Sequence, residues 1–243
     1  MKNENGFTLV ELAIVLMIIG LLIGGILRGQ ELMENARVSS TIQQVKAYQG
    51  AKVTFMDTYS SLPGDLPTAT SRVPGCTAAN FCGNGDGNGM IGEPGSYATV
   101  QAGNATLPRV ETTYFWKHMA LAHLISGVTP SATILNPTWG ESHPASKMGA
   151  GGFAVFYSTQ ATDWGVGHRI RLQMGPTNHG GKGTSPVSPI RARMIDEKMD
   201  DGMSSRGDVT ADSHASECND ETVPGGRYLN TEEKNCIMYF NIE

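Results

Sequence analysis

The chain has 243 residues, of which 17% are charged, and its formal net charge is −5. It has no basic stripe interleaved with aromatic residues, so we expect no nucleic-acid partner. Its 30 glycines and 12 prolines favour a loop-rich globular part over a helical bundle.

The N-terminus divides into a short polar start, residues 1–6, and a long apolar stretch. From Phe7 to Leu27 the only charged residue is Glu11. As a helix, at about 1.5 Å per residue, this stretch spans roughly 30 Å, which matches a bilayer core. A secretory signal peptide would have a small-residue cleavage site after the apolar stretch, and no Ala-x-Ala pattern follows here. We therefore expect the helix to remain on the mature protein.

The heptapeptide Gly6-Phe7-Thr8-Leu9-Val10-Glu11-Leu12 resembles the cleavage and methylation signature of type IV prepilins and type II secretion pseudopilins. In that family a membrane peptidase cuts after the glycine, and the new N-terminal residue is N-methylated. The resemblance implies a scissile bond between Gly6 and Phe7 and N-methylation of Phe7. It covers about residues 1–60 and weakens beyond them.

Glu11 needs a partner, because an unpaired carboxylate in an apolar medium costs several kcal/mol. The resemblance implies that this partner is the N-terminal amine of a neighbouring subunit in a filament of identical or related pilins. A local alternative is a capping box, since Thr8 and Glu11 fit the Ser/Thr-x-x-Glu pattern. Gly20 and Gly24 form a small-xxx-small pair, which suits close helix packing in a fibre core or ordinary transmembrane tolerance of glycine. Many major pilins have a proline near the end of this stretch, whereas the first proline here is Pro63.

After Arg28 the apolar residues recur near the 3.6-residue period, which predicts one helix from about Phe7 to Tyr59. Leu62-Pro63-Gly64-Asp65 ends it, and little regular structure is expected from there to Pro108.

The remaining sequence predicts a small set of helices and strands. They are a helix over Val110–Ser126 capped by Gly127, strands over Gly152–Ser158 and Arg169–Met174, a helix over Pro189–Met199, and a strand over Cys236–Ile242. The predicted class is α+β and pilin-like, with a long N-terminal helix packed on a small antiparallel sheet. The expected division is a cleaved leader (1–6), the long helix (7–60, of which 7–27 form the transmembrane or filament-core part) and a globular head (61–243).

Four cysteines behind an export signal predict two disulfides, and four cysteines allow three pairings. We favour Cys76–Cys82 and Cys218–Cys236, because each pair closes a short local loop. The region between Cys218 and Cys236 is similar to the disulfide-bounded C-terminal region of many pilins, which is exposed on the fibre.

Two stretches offer oxygen ligands of the kind that calcium prefers, so calcium is the candidate cofactor. The first is the glycine-rich loop with Asn84, Asp86 and Asn88 at alternate positions. It lacks the glutamate expected at its twelfth position, where Gly95 stands, and a simple turn is the alternative. The second stretch contains Asp200, Asp201 and Asp208 next to Asp196, and it resembles a C-terminal loop that binds calcium in some pseudopilins. A solvated helix face is the alternative there.

No Gly-x-Ser-x-Gly, His-Glu-x-x-His or phosphate-loop motif occurs, so we expect no enzyme. The predicted function is a structural subunit of a type IV pilus or pilus-like filament, processed by prepilin peptidase. The alternatives are a pseudopilin of a type II secretion system and a membrane-anchored periplasmic binding protein or adhesin. The expected location is the inner membrane, with a single span and a periplasmic head, and then an extracellular pilus or periplasmic pseudopilus.

Overall fold

A computed structural model describes residues 8–92, 110–132, 138–158, 169–175, 185–212, 218–220 and 222–242. The predicted cleavage site between Gly6 and Phe7 lies outside these described residues.

The first element is a single helix, α1, that runs over Leu9–Tyr59. Its 51 residues correspond to about 77 Å, at about 1.5 Å per residue. Thr8 caps its N-terminus, and Ser60 ends it in a left-handed conformation with φ 57°. The long helix predicted from the sequence is confirmed, although it stops before the Leu62-Pro63-Gly64-Asp65 segment.

The two halves of α1 have different surroundings. Every residue from Leu9 to Leu27 is exposed, and this half is long and apolar enough to cross a membrane. From Val38 onward one face is buried against the head, including Val45 and Phe55. The 3.6-residue period after Arg28 therefore marks the part of α1 that packs on the head.

The head contains a four-stranded antiparallel sheet in the order β1-β2-β6-β3. These strands are β1 (Gly152–Ser158), β2 (Arg169–Gly175), β3 (Val209–Asp212) and β6 (Ile237–Asn241). A separate two-stranded sheet pairs β4 (Asn219–Asp220) with β5 (Arg227–Tyr228). Three strands of the larger sheet match the predicted strands, and β3 was not predicted.

Three further α-helices and one turn of 3₁₀-helix complete the described elements. They are α2 (Ala69–Arg72), the 3₁₀ turn (Ala78–Asn80), α3 (Glu111–Leu121) and α4 (Pro189–Met199). The prediction of α4 is confirmed, whereas the prediction that α3 extends to Ser126 with Gly127 as its cap is wrong. His123 adopts a left-handed φ of 58°, and the Leu124 N–H donates back to the Met119 carbonyl at 2.9 Å, which closes the helix earlier.

The core lies between α1, α3 and the sheet. The Tyr48 ring of α1 meets the Trp116 ring of α3 at 5.1 Å and the Phe153 ring of β1 at 5.5 Å, both edge to face. Across the sheet, Leu172 of β2 pairs with Val155 on one side and Phe240 on the other, and all three are buried. The predicted α+β, pilin-like arrangement is confirmed.

Candidate functional site

Glu11 lies in the first turn of α1 and is engaged locally. Its Oε2 accepts hydrogen bonds from the Thr8 backbone N–H at 2.9 Å and from the Thr8 hydroxyl at 2.8 Å. The Glu11 N–H donates to Thr8 Oγ1 at 3.3 Å, which completes a capping box. Both residues are exposed, so this carboxylate is accessible to a further partner. Its pairing with the amine of another subunit stays a prediction.

The glycines of the apolar half of α1 leave its surface open. A Cβ atom placed at Gly20 or Gly24 would find nothing within 4 Å, apart from the backbone of the helix itself, and the same holds at Gly25 and Gly29. Because these positions lack side chains and face no part of the head, another helix could approach the backbone closely there.

Two buried carboxylates hold the loop predicted to bind calcium. Asp65 accepts the N–H groups of Gly87 at 2.7 Å, Asn88 at 3.0 Å and Gly89 at 2.8 Å. Glu111, in the first turn of α3, accepts the N–H groups of Asp86 at 2.9 Å and Gly92 at 3.0 Å. Five backbone N–H groups of the loop thus donate to Asp65 and Glu111, neither of which was predicted from the sequence as a ligand. No short sequence motif contains both carboxylates, because Asp65 and Glu111 are 46 residues apart in the chain.

The three side chains predicted as ligands in this loop are occupied by turn hydrogen bonds. Asn84 Oδ1 accepts the Thr70 N–H at 2.9 Å. Asp86 Oδ1 accepts the Asn88 N–H at 3.0 Å, and Asn88 Oδ1 accepts the Met90 N–H at 2.8 Å.

The structure brings one of these side chains, Asp86, together with Asp65 and Glu111. One oxygen from each lies within 4.8 Å of the others. Burial raises the pKa of Glu111 to about 7 and that of Asp65 above its usual value, while the backbone hydrogen bonds act in the opposite direction. Such a group suits a proton or a divalent cation chemically, and calcium there stays a prediction.

The second predicted calcium site lies in the loop after α4. Asp200 Oδ2 accepts the N–H groups of Asp208 at 2.6 Å and Val209 at 3.2 Å. Asp201 Oδ2 accepts from Arg206 Nε at 2.7 Å. The ligand oxygens that lie within 4.8 Å of one another belong to Asp196, Asp200 and Asp201. The Asp208 carboxylate does not join this group, and its Oδ1 accepts from Asn241 Nδ2 at 2.9 Å.

All four cysteines are disulfide-bonded and buried. Cys76 is joined to Cys82 across six residues, and Cys218 to Cys236 across eighteen. The second bond ties the segment that carries β4 and β5 to the start of β6.

Two buried polar side chains of α3, Lys117 and His118, hydrogen-bond to neighbouring loops. Lys117 donates to the carbonyls of Asn80 at 3.0 Å and Pro130 at 2.7 Å, and burial lowers its pKa to about 8. His118 Nδ1 accepts the Gly64 N–H at 2.9 Å, and its Nε2 lies 2.9 Å from the Gly83 carbonyl. Burial lowers the pKa of His118 to about 4, so the ring is neutral near pH 7. Both side chains therefore fix the loops that flank the first disulfide.

Comparison with known proteins finds a match at the N-terminus. Residues 1–27 match the prokaryotic N-terminal methylation motif, which is the signature of type IV pilins and pseudopilins. No curated protein and no solved structure matches the chain. The motif marks a structural, pilin-like group of proteins rather than an enzyme family. Together with the apolar half of α1, it fits a protein anchored in a membrane before assembly.

Proposed function

We propose that this protein is a structural subunit of a type IV pilus or pilus-like filament. Prepilin peptidase cuts it between Gly6 and Phe7, Phe7 is N-methylated, and the subunit assembles through α1. The supporting observation is that residues 1–27 carry the methylation motif on a helix whose apolar half packs on no part of the described head. We expect the head to have no catalytic activity.

The exposed half of α1 needs a second environment. An apolar helix surface of this length is far larger than the patches that soluble monomers leave in water. A bilayer covers it before assembly, with the head in the periplasm, and the same halves of neighbouring subunits cover it in the filament. Gly20 and Gly24 lie on this surface and permit close helix contact.

In this proposal Glu11 changes partner on assembly. Cleavage after Gly6 leaves a positively charged amine at Phe7, and each added subunit brings such a charge into the apolar core of the fibre. Pairing this amine with the Glu11 carboxylate of a neighbour neutralises both charges, which an apolar medium strongly favours. The hydrogen bonds from Thr8 hold Glu11 until that pairing forms.

The second candidate function is a pseudopilin of a type II secretion system. The residues of α1 include no proline, unlike the corresponding helix of many major pilins, which favours a minor or specialised subunit. Sheared surface fibres that contain the chain would support the pilus, whereas periplasmic filaments required for protein secretion would support the pseudopilus.

The test of filament assembly replaces Glu11 by Gln in the full-length chain in its host. Gln keeps the Ser/Thr-x-x-Glu/Gln capping pattern but carries no charge. We expect normal membrane insertion and a normally folded head, with filament yield lowered by about tenfold or more, since an uncompensated buried charge costs several kcal/mol.

Thr8→Ala is the matched control for Glu11→Gln, because it removes the capping hydroxyl and leaves the carboxylate in place. Filaments should persist in this variant. Equal filament yields from Glu11→Gln and the unmodified chain would contradict the proposed pairing. Equal losses of filaments in both variants would mean that Glu11 acts only as part of the helix cap.

A further inference from the structure

Four charged residues occur at regular spacing on α1, between its apolar half and the head. They are Arg28, Glu31, Glu34 and Arg37, each three residues from the next, so their charges follow the order plus, minus, minus, plus. Arg28 Nη1 lies 2.9 Å from Glu31 Oε2, and Arg37 Nη1 lies 3.0 Å from Glu34 Oε1. The side chains of Arg28, Glu31, Glu34 and Arg37 are 79%, 58%, 33% and 45% exposed.

These two pairs within the helix are weak and can exchange partners. Exposed ion pairs contribute little to stability, because water screens them and ordering the side chains costs entropy. In the first pair, Arg28 precedes Glu31, which is the less favourable order along a helix. Arg191 borders the same cleft as Glu31 and Glu34, but its guanidinium lies 3.4 Å from Glu232 of the head.

The charge order selects one axial offset between two parallel copies of α1. With no offset, every charge faces an identical one. Suppose that one copy, the upper one, is shifted by six residues toward the C-terminal end of the helices, about 9 Å at about 1.5 Å per residue. Its Arg28 then stands level with Glu34 of the lower copy. Its Glu31 then stands level with Arg37 of the lower copy. An offset of three residues sets Arg28 against Glu31 and Glu34 against Arg37, but it also sets Glu31 against Glu34. An offset of nine residues sets Arg28 against Arg37. Only the six-residue offset therefore gives attraction without repulsion.

We propose that residues 28–37 of α1 form an electrostatic docking surface for a second copy of this chain. In this contact Arg28 and Glu31 of the upper copy pair with Glu34 and Arg37 of the lower copy. The inference rests on the proposed filament function and deepens it, because it names the contact that fixes the axial stagger between neighbouring subunits.

The two halves of this surface point in different directions. At about 100° per residue, the Arg28–Glu31 face and the Glu34–Arg37 face lie about 120° apart around α1. One copy therefore uses one face toward its upper neighbour and the other face toward its lower neighbour. Such a head-to-tail contact does not close on itself and can extend into a filament.

The surface also continues the apolar half of α1. Leu32 and Met33, within the charged segment, are exposed in the single chain. Contact with a second α1 would cover them and would exclude water from the ion pairs, which strengthens those pairs.

The same offset is compatible with pairing at the N-terminus. A six-residue stagger places Phe7 of the upper copy level with residue 13 of the lower copy. This is two residues, or about 3 Å along the axis, from Glu11 of the lower copy, a distance that its side chain can cover. Identical copies related by one operation share one stagger along their whole length, so the two contacts support each other.

The test compares charge exchanges in the full-length chain, with filament yield as the readout. Arg28→Glu alone sets a carboxylate of one copy against the Glu34 carboxylate of the next, and we expect a loss of at least about fivefold, the scale of an exposed ion pair. Adding Glu34→Arg restores opposite charges between copies while creating like-charge pairs within each helix. This double variant should recover most of the filament yield.

The control double variant is Arg28→Glu with Glu31→Arg, which has the same amino-acid composition as the first. It restores attraction within each helix and creates two repulsive contacts between copies, so we expect it to lose filaments at least as severely as Arg28→Glu.

Three results would overturn the docking inference while the unmodified chain still assembles. They are no loss with Arg28→Glu, rescue by the control double variant, and no rescue by Arg28→Glu with Glu34→Arg. If the unmodified chain forms no filament at all, the proposed function itself fails, and the docking surface falls with it.

Discussion

At the scale of single residues, buried carboxylates organise the loops of the head. Asp65 and Glu111 fix the loop at residues 85–92, and Asp196 fixes the turn after α4. Each of them is buried and accepts at least two hydrogen bonds in the described part of the chain. These carboxylates therefore hold the loops in place through backbone and side-chain hydrogen bonds.

Asp196 gives the clearest prediction of pH dependence. Its Oδ2 accepts from the Tyr228 hydroxyl at 2.8 Å and its Oδ1 from the Gly202 N–H at 3.1 Å. Burial raises the pKa of Asp196 from 3.8 to about 7, although these hydrogen bonds lower it. Between these two pH values the folded chain retains a proton that the unfolded chain has released. The contribution of Asp196 to the free energy of unfolding therefore falls as pH rises through this range.

Asp196→Asn should remove this dependence, because an amide does not ionise. Its Oδ1 can accept the Gly202 N–H, and its Nδ2 can donate to the Tyr228 hydroxyl oxygen, which reverses the direction of that hydrogen bond. The free energy of unfolding of the variant, relative to the unmodified protein, should rise between about pH 4 and about pH 7 by a few kcal/mol, at about 1.4 kcal/mol per pKa unit. Urea unfolding of the full-length protein in detergent, followed by tryptophan fluorescence, measures this difference. The buried His118 and His143 contribute in both proteins, so their effects cancel.

Glu197→Gln is the control for Asp196→Asn, because Glu197 is the next residue of α4 and is exposed, with only Arg193 as its ion-pair partner among the described residues. A rise of the same size in Glu197→Gln would mean that the effect does not come from the buried carboxylate of Asp196. A flat difference for Asp196→Asn would mean that Asp196 is ionised throughout the range.

At the scale of elements, the two disulfides close loops of different length. Cross-linking lowers the entropy of the unfolded chain more when the closed loop is longer. Cys218–Cys236 spans eighteen residues and Cys76–Cys82 spans six. In the chain-entropy model these loops correspond to about 3 and about 2 kcal/mol.

Replacing Cys218 and Cys236 together by Ala should therefore destabilise the head more than the same replacement of Cys76 and Cys82. Urea unfolding of each double variant against the unmodified protein gives the two values. A larger loss from the Cys76 and Cys82 variant would mean that contacts around its short loop, such as the Lys117 hydrogen bonds, dominate over loop entropy.

The elements predicted from the sequence are those with a clear period or a strong boundary signal. The 3.6-residue pattern located the head-packed half of α1, and Pro189 at the first helical position marked the start of α4. Alternating apolar residues located β1 and β2. Strand β3 has only four residues, Val209–Asp212, which is too short for a period to emerge, and its place in the sheet depends on pairing with β6. The end of α3 depends on the conformation of His123, a residue type with no strong stop signal.

The candidate site residues divide into those that a local motif marks and those that only the fold brings together. Phe7, Glu11 and the cysteines were selected because motif and spacing lie within short stretches of sequence. Asp65 and Glu111 were missed because they meet only through the packing of α3 against the end of α1.

At the scale of the whole molecule, one helix serves two environments. Its apolar half carries the methylation motif and remains exposed, and one face of its second half packs in the core of the head. Between them lies the charged segment at residues 28–37, most of which is exposed and which borders the head at Arg191. The proposed filament uses all three parts: the apolar half for the fibre core, the charged segment for stagger, and the head for the fibre surface.

The central claim is that this helix is processed for assembly, and the mass of the mature protein tests it most directly. Intact-mass spectrometry of the chain from its native host, before and after reduction, reads the N-terminus and the cysteine state together. We predict a chain that begins at Phe7, is heavier by one methyl group, and gains the hydrogens of two disulfides on reduction. A chain that begins at Met1, or one cut after Leu27, would contradict assembly through α1.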